Sequence, residues 1–161
     1  MHTLPQLLEE DMTVLDGALG ELLSKSDAAT AIITDKAGFC LVEKGDTATF
    51  DVTSVAALAS GSFEATQAIA RIINENFSCV YQQGEKYSML VNNIDEQTVL
   101  IVIFPNTVSV GLIKFYGAET VRACADQFTK ARQRAPGEGI DLAMLNIADT
   151  TGVFKKGPNA S

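Results

Sequence analysis

Six consecutive apolar residues, Val99 to Phe104 in TVLIVIF, constrain this chain more than any other stretch. A strand with one wet face alternates polar and apolar side chains. A strand apolar on both faces is buried on both faces. This one therefore belongs at the centre of a sheet, with helices packed on each side. Pro105 ends it, since proline has no N–H for a further ladder bond. Two runs precede it. SCVYQQ (78–83) and YSMLVNN (87–93) flank the tight turn GEK, and NIDEQ leads into the apolar run. Residues 78–105 read as a three-stranded meander.

Upstream, AATAIITDKAGFCLVEK reads as a hairpin, with strands at about 29–35 and 38–44. Asp35 at the first turn position and Gly38 at the fourth suit a type I turn. A helix precedes it. TLPQ is a capping box opened by Thr3, with Pro5 tolerated in the first turn. Leu8, Met12, Leu15, Leu19 and Leu22 then recur as an apolar stripe, while Glu9, Glu10, Asp11, Asp16 and Glu21 lie outside it and read as a solvated face. After the meander, SVGLIKFYG could be a strand by composition, and Gly111 and Gly117 would each cost a helix about 1 kcal/mol. From Ala118 the pattern is helical, with Val121, Ala125 and Phe128 on one face. Lys130, Arg132 and Arg134 near its end suit the helix dipole. Past APGEG the composition shifts. IDLAMLNIA is apolar enough to dock on something, and DTTGVFKKGPNAS reads as disordered or weakly ordered. The expected division is a domain over 1–134 and a C-terminal tail over 135–161, partly disordered.

The stretch FDVTSVAALASGSFEATQAIARII, residues 50–73, reads as one long helix with only Glu64 and Arg71 charged. Asp51 is a good N-cap, and Phe50 and Val55 sit where a hydrophobic staple would clasp it. At 100° per residue, Val55, Leu58, Ser62, Ala65, Thr66, Ile69, Ile72 and Ile73 share a side that is expected to face the sheet. The opposite side carries Ala57, Ser60, Gly61, Glu64, Ala68 and Arg71. A helix on the surface of a soluble monomer needs a polar face, and this side is mostly small instead. Small residues let a second backbone come close, and a mid-helix glycine wants a packing reason. The bland reading is a helix lying half-exposed under loops. The reading preferred here is a protein–protein face, most simply a symmetric one. The strand after the helix, with Cys79 and Tyr81, is an edge that would be a liability unless paired.

The chemistry is sparse. His2 is the only histidine in 161 residues, so no internal histidine can serve a Ser–His or Cys–His pair or a zinc cluster. No P-loop sequence occurs. Cys40, Cys79 and Cys124 lie far apart, with no CxxC, and read as reduced thiols of a cytoplasmic protein. No apolar run approaches the roughly 20 residues that span a bilayer, and the start has no basic or apolar region of a signal peptide. The net charge of −8 falls wholly in residues 1–75, with 12 acids and 4 bases; residues 76–161 carry 8 of each. That argues against nucleic acid and is compatible with a partner that has a basic face. No catalytic residue, cofactor or metal is expected. A packed core without a chemical constellation points to a binding module rather than an enzyme. A small-ligand sensor would need a pocket with converging polar groups, and Ser62 and Thr66 are the only such groups seen on the sheet side of the long helix.

The order helix, hairpin, long helix, meander, helix resembles the roadblock/dynein light chain family. The segments AIITDKAGFCLVEK, VTSVAALASGSFEATQAIARII, YQQGEKYSMLV and VLIVIF…VGLIKF are similar, in order and spacing, to the bacterial gliding-motility branch of that family. The resemblance covers about residues 5–130. It implies an α+β fold, a roadblock-like α/β sandwich of order α-β-β-α-β-β-β-α. Its antiparallel sheet of five strands would carry the long helix on one face and two helices on the other. It also implies that VGLIKFYG belongs to the last helix. Members of this kind form homodimers through the long helices and the adjacent edge strand. Those of the gliding-motility branch bind a Ras-like small GTPase over the paired helices and stimulate GTP hydrolysis without inserting an arginine finger. The partner and dimer surface implied here is Ala57, Ser60, Gly61, Glu64, Ala68 and Arg71 with Cys79 and Tyr81. Other members scaffold proteins without activating a GTPase, and that remains the alternative. The tail departs from the gliding-motility pattern, being short and mildly apolar, with Lys155 and Lys156 near its end.

Overall fold

The structure is a computed structural model and describes residues 4–134. The elements run α1 (Glu9–Ser26), β1 (Thr30–Asp35), β2 (Cys40–Gly45), α2 (Val52–Ile72), β3 (Cys79–Gln83), β4 (Tyr87–Asn93), β5 (Thr98–Pro105) and α3 (Val110–Gln133). Every ladder is antiparallel. The five strands lie in the order β2-β1-β5-β4-β3. β5 is central, as its unbroken apolar run requires. Its alternate residues divide between two cores. Leu100, Val102 and Phe104 join Leu15, Leu19, Ile113 and Phe128 under α1 and α3. Val99 and Ile101 join Ala56, Ala59 and Phe63 under α2. This is the α+β sandwich expected from the sequence. The tail, residues 135–161, lies outside the described residues, as does Thr3.

The hairpin turn forms as its sequence asks. The Gly38 N–H donates to the Asp35 carbonyl at 3.0 Å. Gly38 itself has φ +99°, and a Cβ there would come within 3.0 Å of the Ala57 Cα, so the turn packs directly on α2. The stretch SVGLIKFYG resolves as the first turns of α3, with Ser109 at the N-cap. Gly117 is buried there, where a side chain would press on Asn92 of β4 at 3.1 Å.

Two expectations for α1 are corrected. The helix opens at Glu9 rather than Thr3. The Leu8 N–H donates to the Asp11 carboxylate at 2.7 Å. Glu9, Glu10 and Asp11 together place negative charge in the first turn, where the helix dipole favours it. Nor is Asp11 on a solvated face: it is fully buried. Its carboxylate accepts from Arg134 at 2.8 and 2.9 Å and from Gln127 at 2.6 Å. The cations closing α3 thus do more than meet its dipole. Arg134 binds the start of α1, and Arg132 reaches Asp95 at 2.9 Å. The Arg134 hydrogen bonds hold the Asp11 pKa at about 2, against an ordinary 3.8, with burial opposing the shift.

Candidate functional site

α2 is the element that decides what this surface can do. Asp51 caps it, accepting from the Thr53 N–H at 3.1 Å and from the Ser54 hydroxyl at 2.6 Å. Asn74, at φ +58°, takes the left-handed conformation that ends it. Between these ends the helix is rotated from the sequence expectation, so that the expected sheet-facing side is not the buried one. Val52, Ala56, Ala59, Ser60, Phe63 and Ala70 are the buried residues. Leu58, Ile69, Ile72 and Ile73 point outward, at 74, 56, 80 and 56% exposure. Ser62 and Ala65 are exposed with them.

The reason is packing. Small residues let α2 sit close to the sheet, and Phe63 supplies the single large group that fills the space beneath. The periodic apolar stripe read as the core-facing side is therefore the outer side. An apolar stripe of this kind turned to solvent is a candidate contact surface.

The named site residues separate accordingly. Ser60 leaves the surface set: it is buried, and its hydroxyl donates to the Asp35 carbonyl at 3.1 Å. Ala57, Gly61, Ala68 and Arg71 are exposed along the flank of α2. Beyond its own helix backbone, nothing among the described residues lies within 4 Å of where a Gly61 Cβ would stand, so the glycine has no packing partner there. Glu64 is partly buried, and its Oε1 has no hydrogen-bond partner among the described residues. Cys79 and Tyr81 lie on β3, at the edge of the sheet. Tyr81 stacks on Phe104 with ring centroids 6.3 Å apart. The edge of β3 beyond Cys79 and Tyr81 carries no neighbouring strand among the described residues.

Two hollows flank α2. Near its start, a cavity of about 430 Å³ is lined by Phe50, Val55, Tyr87 and Ile103 together with Thr30 and Asp46. Under its C-terminal half, a second of about 430 Å³ is polar and lined by Lys36, Glu64, Gln67, Arg71 and the β4–β5 turn. Thr66, weighed as a possible ligand group, donates to the Ser62 carbonyl one turn back at 2.9 Å. The thiols are poorly placed for chemistry. Burial pushes Cys124 up to about 12, and burial with the nearby Glu43 carboxylate raises Cys40. Among the described residues no helix is long and apolar enough to cross a membrane.

Residues 15–104 match the Roadblock/LC7 domain. The chain belongs to the Roadblock/LC7 family. Among solved structures, it is similar to MglB of Myxococcus xanthus at 27% identity and a TM-score of 0.75, over 81% of this chain and 98% of that one. The gliding protein MglB of Thermus thermophilus matches at 25% identity and 0.74, over 81% and 99%. An MglB described as having a tetrameric arrangement matches at 25% and 0.75, also over 81% and 99%. None of the curated proteins matches the chain in sequence. The family resemblance read from the four sequence segments is therefore shown.

The residues missed from sequence are Leu58, Ile69, Ile72 and Ile73 as surface, and Asp11 with Arg134 as a buried pair. The first set carried a signal. Phe63, the largest side chain inside the helix, falls opposite the apolar stripe, and a residue of that size is rarely left outside a core.

Proposed function

We propose that the protein is a homodimeric, non-enzymatic regulator of a Ras-like small GTPase of the MglA type, acting in the bacterial cytoplasm in cell polarity or motility. The observation that carries this reading is the outward apolar stripe of α2, together with the likeness to MglB proteins over most of the chain.

The position of two surface features supports self-association. Ile72 and Ile73 stand out at the end of α2. The cavity beside Phe50 and Val55 lies at its start. A two-fold axis laying two copies of α2 antiparallel brings each ridge to the other copy's hollow, an isologous contact. In such a dimer the β3 edges, with Cys79 and Tyr81, are expected to lie side by side. One of the similar MglB structures is described as tetrameric.

The paired helices then offer the GTPase two copies of Ala57, Gly61, Glu64, Ala68 and Arg71, so one GTPase per dimer is expected. Arg71 sits in the last turn of a helix, not at a loop tip. It suits a surface contact rather than an inserted finger, and activation would come from reordering the partner's switch loops.

The test is GTP hydrolysis by the cognate GTPase with and without this protein, alongside binding to its GTP and GDP forms. Binding to the GTP form with faster hydrolysis is expected. No binding to the GTP form would reject the reading. Binding without acceleration would make the protein a scaffold. Arg71→Ala should weaken affinity more than it lowers the saturated rate.

A further inference from the structure

The polar cleft under the C-terminal half of α2 holds charges of both signs that do not meet. Glu64 lines it, and its carboxylate Oε1 is buried with no hydrogen-bond partner among the described residues. A buried acceptor left without a donor is unfavourable, so the position asks for an N–H or ammonium group. Lys36 and Arg71 line the same cleft and do not supply it. Among the described residues, their side chains enter no hydrogen bond or ion pair with any other group either.

The rest of the wall is fixed. Asp95 accepts from the Gln97 and Thr98 N–H groups, the Thr98 hydroxyl and Arg132, so its charge is already answered. The Gln67 amide donates to the Phe77 carbonyl. The Lys36 N–H donates to the Gln97 carbonyl at 2.8 Å, which ties the hairpin turn to the β4–β5 turn across the cleft. The volume of about 430 Å³ lies within the roughly 300–1,000 Å³ of small-molecule sites. The polar lining suits a ligand that is itself charged.

We propose that the cleft binds a free amino acid, its ammonium group donating to Glu64 and its carboxylate accepting from Arg71 and Lys36. A simple cation would answer Glu64 but meet two unpaired cations beside it. A simple anion would answer Lys36 and Arg71 and leave the buried Glu64 oxygen unpaired. A small zwitterion answers all three. Its ammonium carries three donors, and a guanidinium matches a carboxylate in a two-pronged hydrogen bond. Asn76 and Asn93, on the same wall, suit a ligand with a polar side chain. A bound amino acid would occupy Arg71 and so make affinity for a GTPase on that flank depend on amino-acid concentration. This consequence rests on the function proposed above; the binding itself does not.

Heteronuclear NMR of the full chain, titrated with each of the common free amino acids, tests the binding without a GTPase in the assay. At least one amino acid should saturably shift the side-chain amide signals of Gln67, Asn76 and Asn93. The amide of Asn106, which donates to the Gly84 carbonyl beyond the opposite end of β5, should stay in place. Glu64→Gln should weaken that binding by about tenfold or more, as the loss of a charge-assisted hydrogen bond does. Arg71→Gln, at an exposed position, should do the same. The N-acetylated form and the carboxamide of that amino acid should each bind as weakly. No shift with any amino acid at millimolar concentration would overturn the proposal. So would binding that Glu64→Gln leaves unchanged, or a carboxamide that binds as tightly as its parent, which would assign the cleft to a simple cation.

Discussion

On one side of the sheet, α1 and α3 lie antiparallel and close the face between them; on the other, α2 lies alone. Arg134 at the end of α3 grips Asp11 at the start of α1, and at the far end Lys25 of α1 lies over the Tyr116 ring of α3. Leu15, Leu19, Leu22, Ile113, Cys124 and Phe128 are all at most 1% exposed between them. α2 buries mainly alanines and Phe63 and turns its leucine and isoleucines outward. The first face closes its core within one chain, although Val14, Leu112 and Phe115 stay exposed on the outer sides of its helices. The second has more apolar surface than its own sheet can cover. That difference is consistent with stability resting on the α1–α3 side and with the recognition proposed for the α2 side.

The largest effect should come from the closed face. Arg134→Ala leaves the Asp11 carboxylate buried without its main partner. Stranding one member of a buried pair costs about 3–5 kcal/mol, and urea unfolding of the full chain should show a loss of that order. Leu58→Ala, at an exposed position on α2, should cost no more than about 0.5 kcal/mol in the same assay when protein is dilute enough to be monomeric. Equal losses for the two variants would break the comparison.

The next effect belongs to the open face. Ile72→Asp puts a charge into the ridge proposed to meet a second copy. Sedimentation at micromolar concentration should show the wild-type chain as a dimer and the variant as a monomer, a loss of at least about 2 kcal/mol in association. Far-UV circular dichroism should be unchanged, because Ile72 is 80% exposed in the single chain. A wild-type chain that sediments as a monomer would remove the basis for reading α2 as a dimer face.

A smaller, pH-dependent effect separates the faces again. Asp11 has its pKa lowered to about 2 from 3.8. A depressed carboxylate contributes stability above its unfolded pKa and loses it as pH falls through the folded one. The Asp11 contribution, on the order of 2 kcal/mol, should thus be intact above pH 4 and vanish toward pH 2. Unfolding of wild type and Asp11→Asn compared from pH 5 to pH 2 should show curves that converge. A constant gap would mean that the network acts by shape rather than charge.

Much of this architecture was legible in the sequence, and the exceptions share a cause. Val99 to Phe104 fixed the central strand because only a doubly covered strand can be apolar without alternation. Asp35 and Gly38 fixed the hairpin turn through local backbone chemistry. Ser109 to Gly117 was ambiguous in composition, and the family resemblance resolved it. Asp11 was missed because burial of an acid depends on Arg134, far away in sequence. The facing of α2 was missed for a related reason. Periodicity finds an apolar stripe, but it cannot say whether the chain's own sheet or another molecule covers it. Of the candidate site, Ala57, Gly61, Ala68 and Arg71 lie on an exposed flank, whereas Ser60 does not, because its hydroxyl has a carbonyl partner across the hairpin turn.

Gly61 gives the smallest effect and the sharpest division between chain and complex. A glycine inside a helix costs about 1 kcal/mol against alanine. Beyond its own helix backbone, no atom of the described residues stands within 4 Å of where its Cβ would be. In an isolated chain Gly61→Ala should therefore stabilise, by about 0.5–1 kcal/mol, and even Gly61→Leu should not harm the fold. If the flank of α2 meets another backbone closely, the sign reverses on association, because the added side chain occupies the space the second molecule needs. Thermal unfolding measured across protein concentrations can read both signs. At the dilute end Gly61→Ala should melt above wild type. Where dimers dominate, or with the GTP-bound GTPase added, the advantage should shrink or invert, most strongly for Gly61→Leu. A uniform gain at every concentration and with the GTPase present would show that no molecule approaches this glycine, and would move the partner surface away from this flank toward the stripe of Leu58, Ile69 and Ile72.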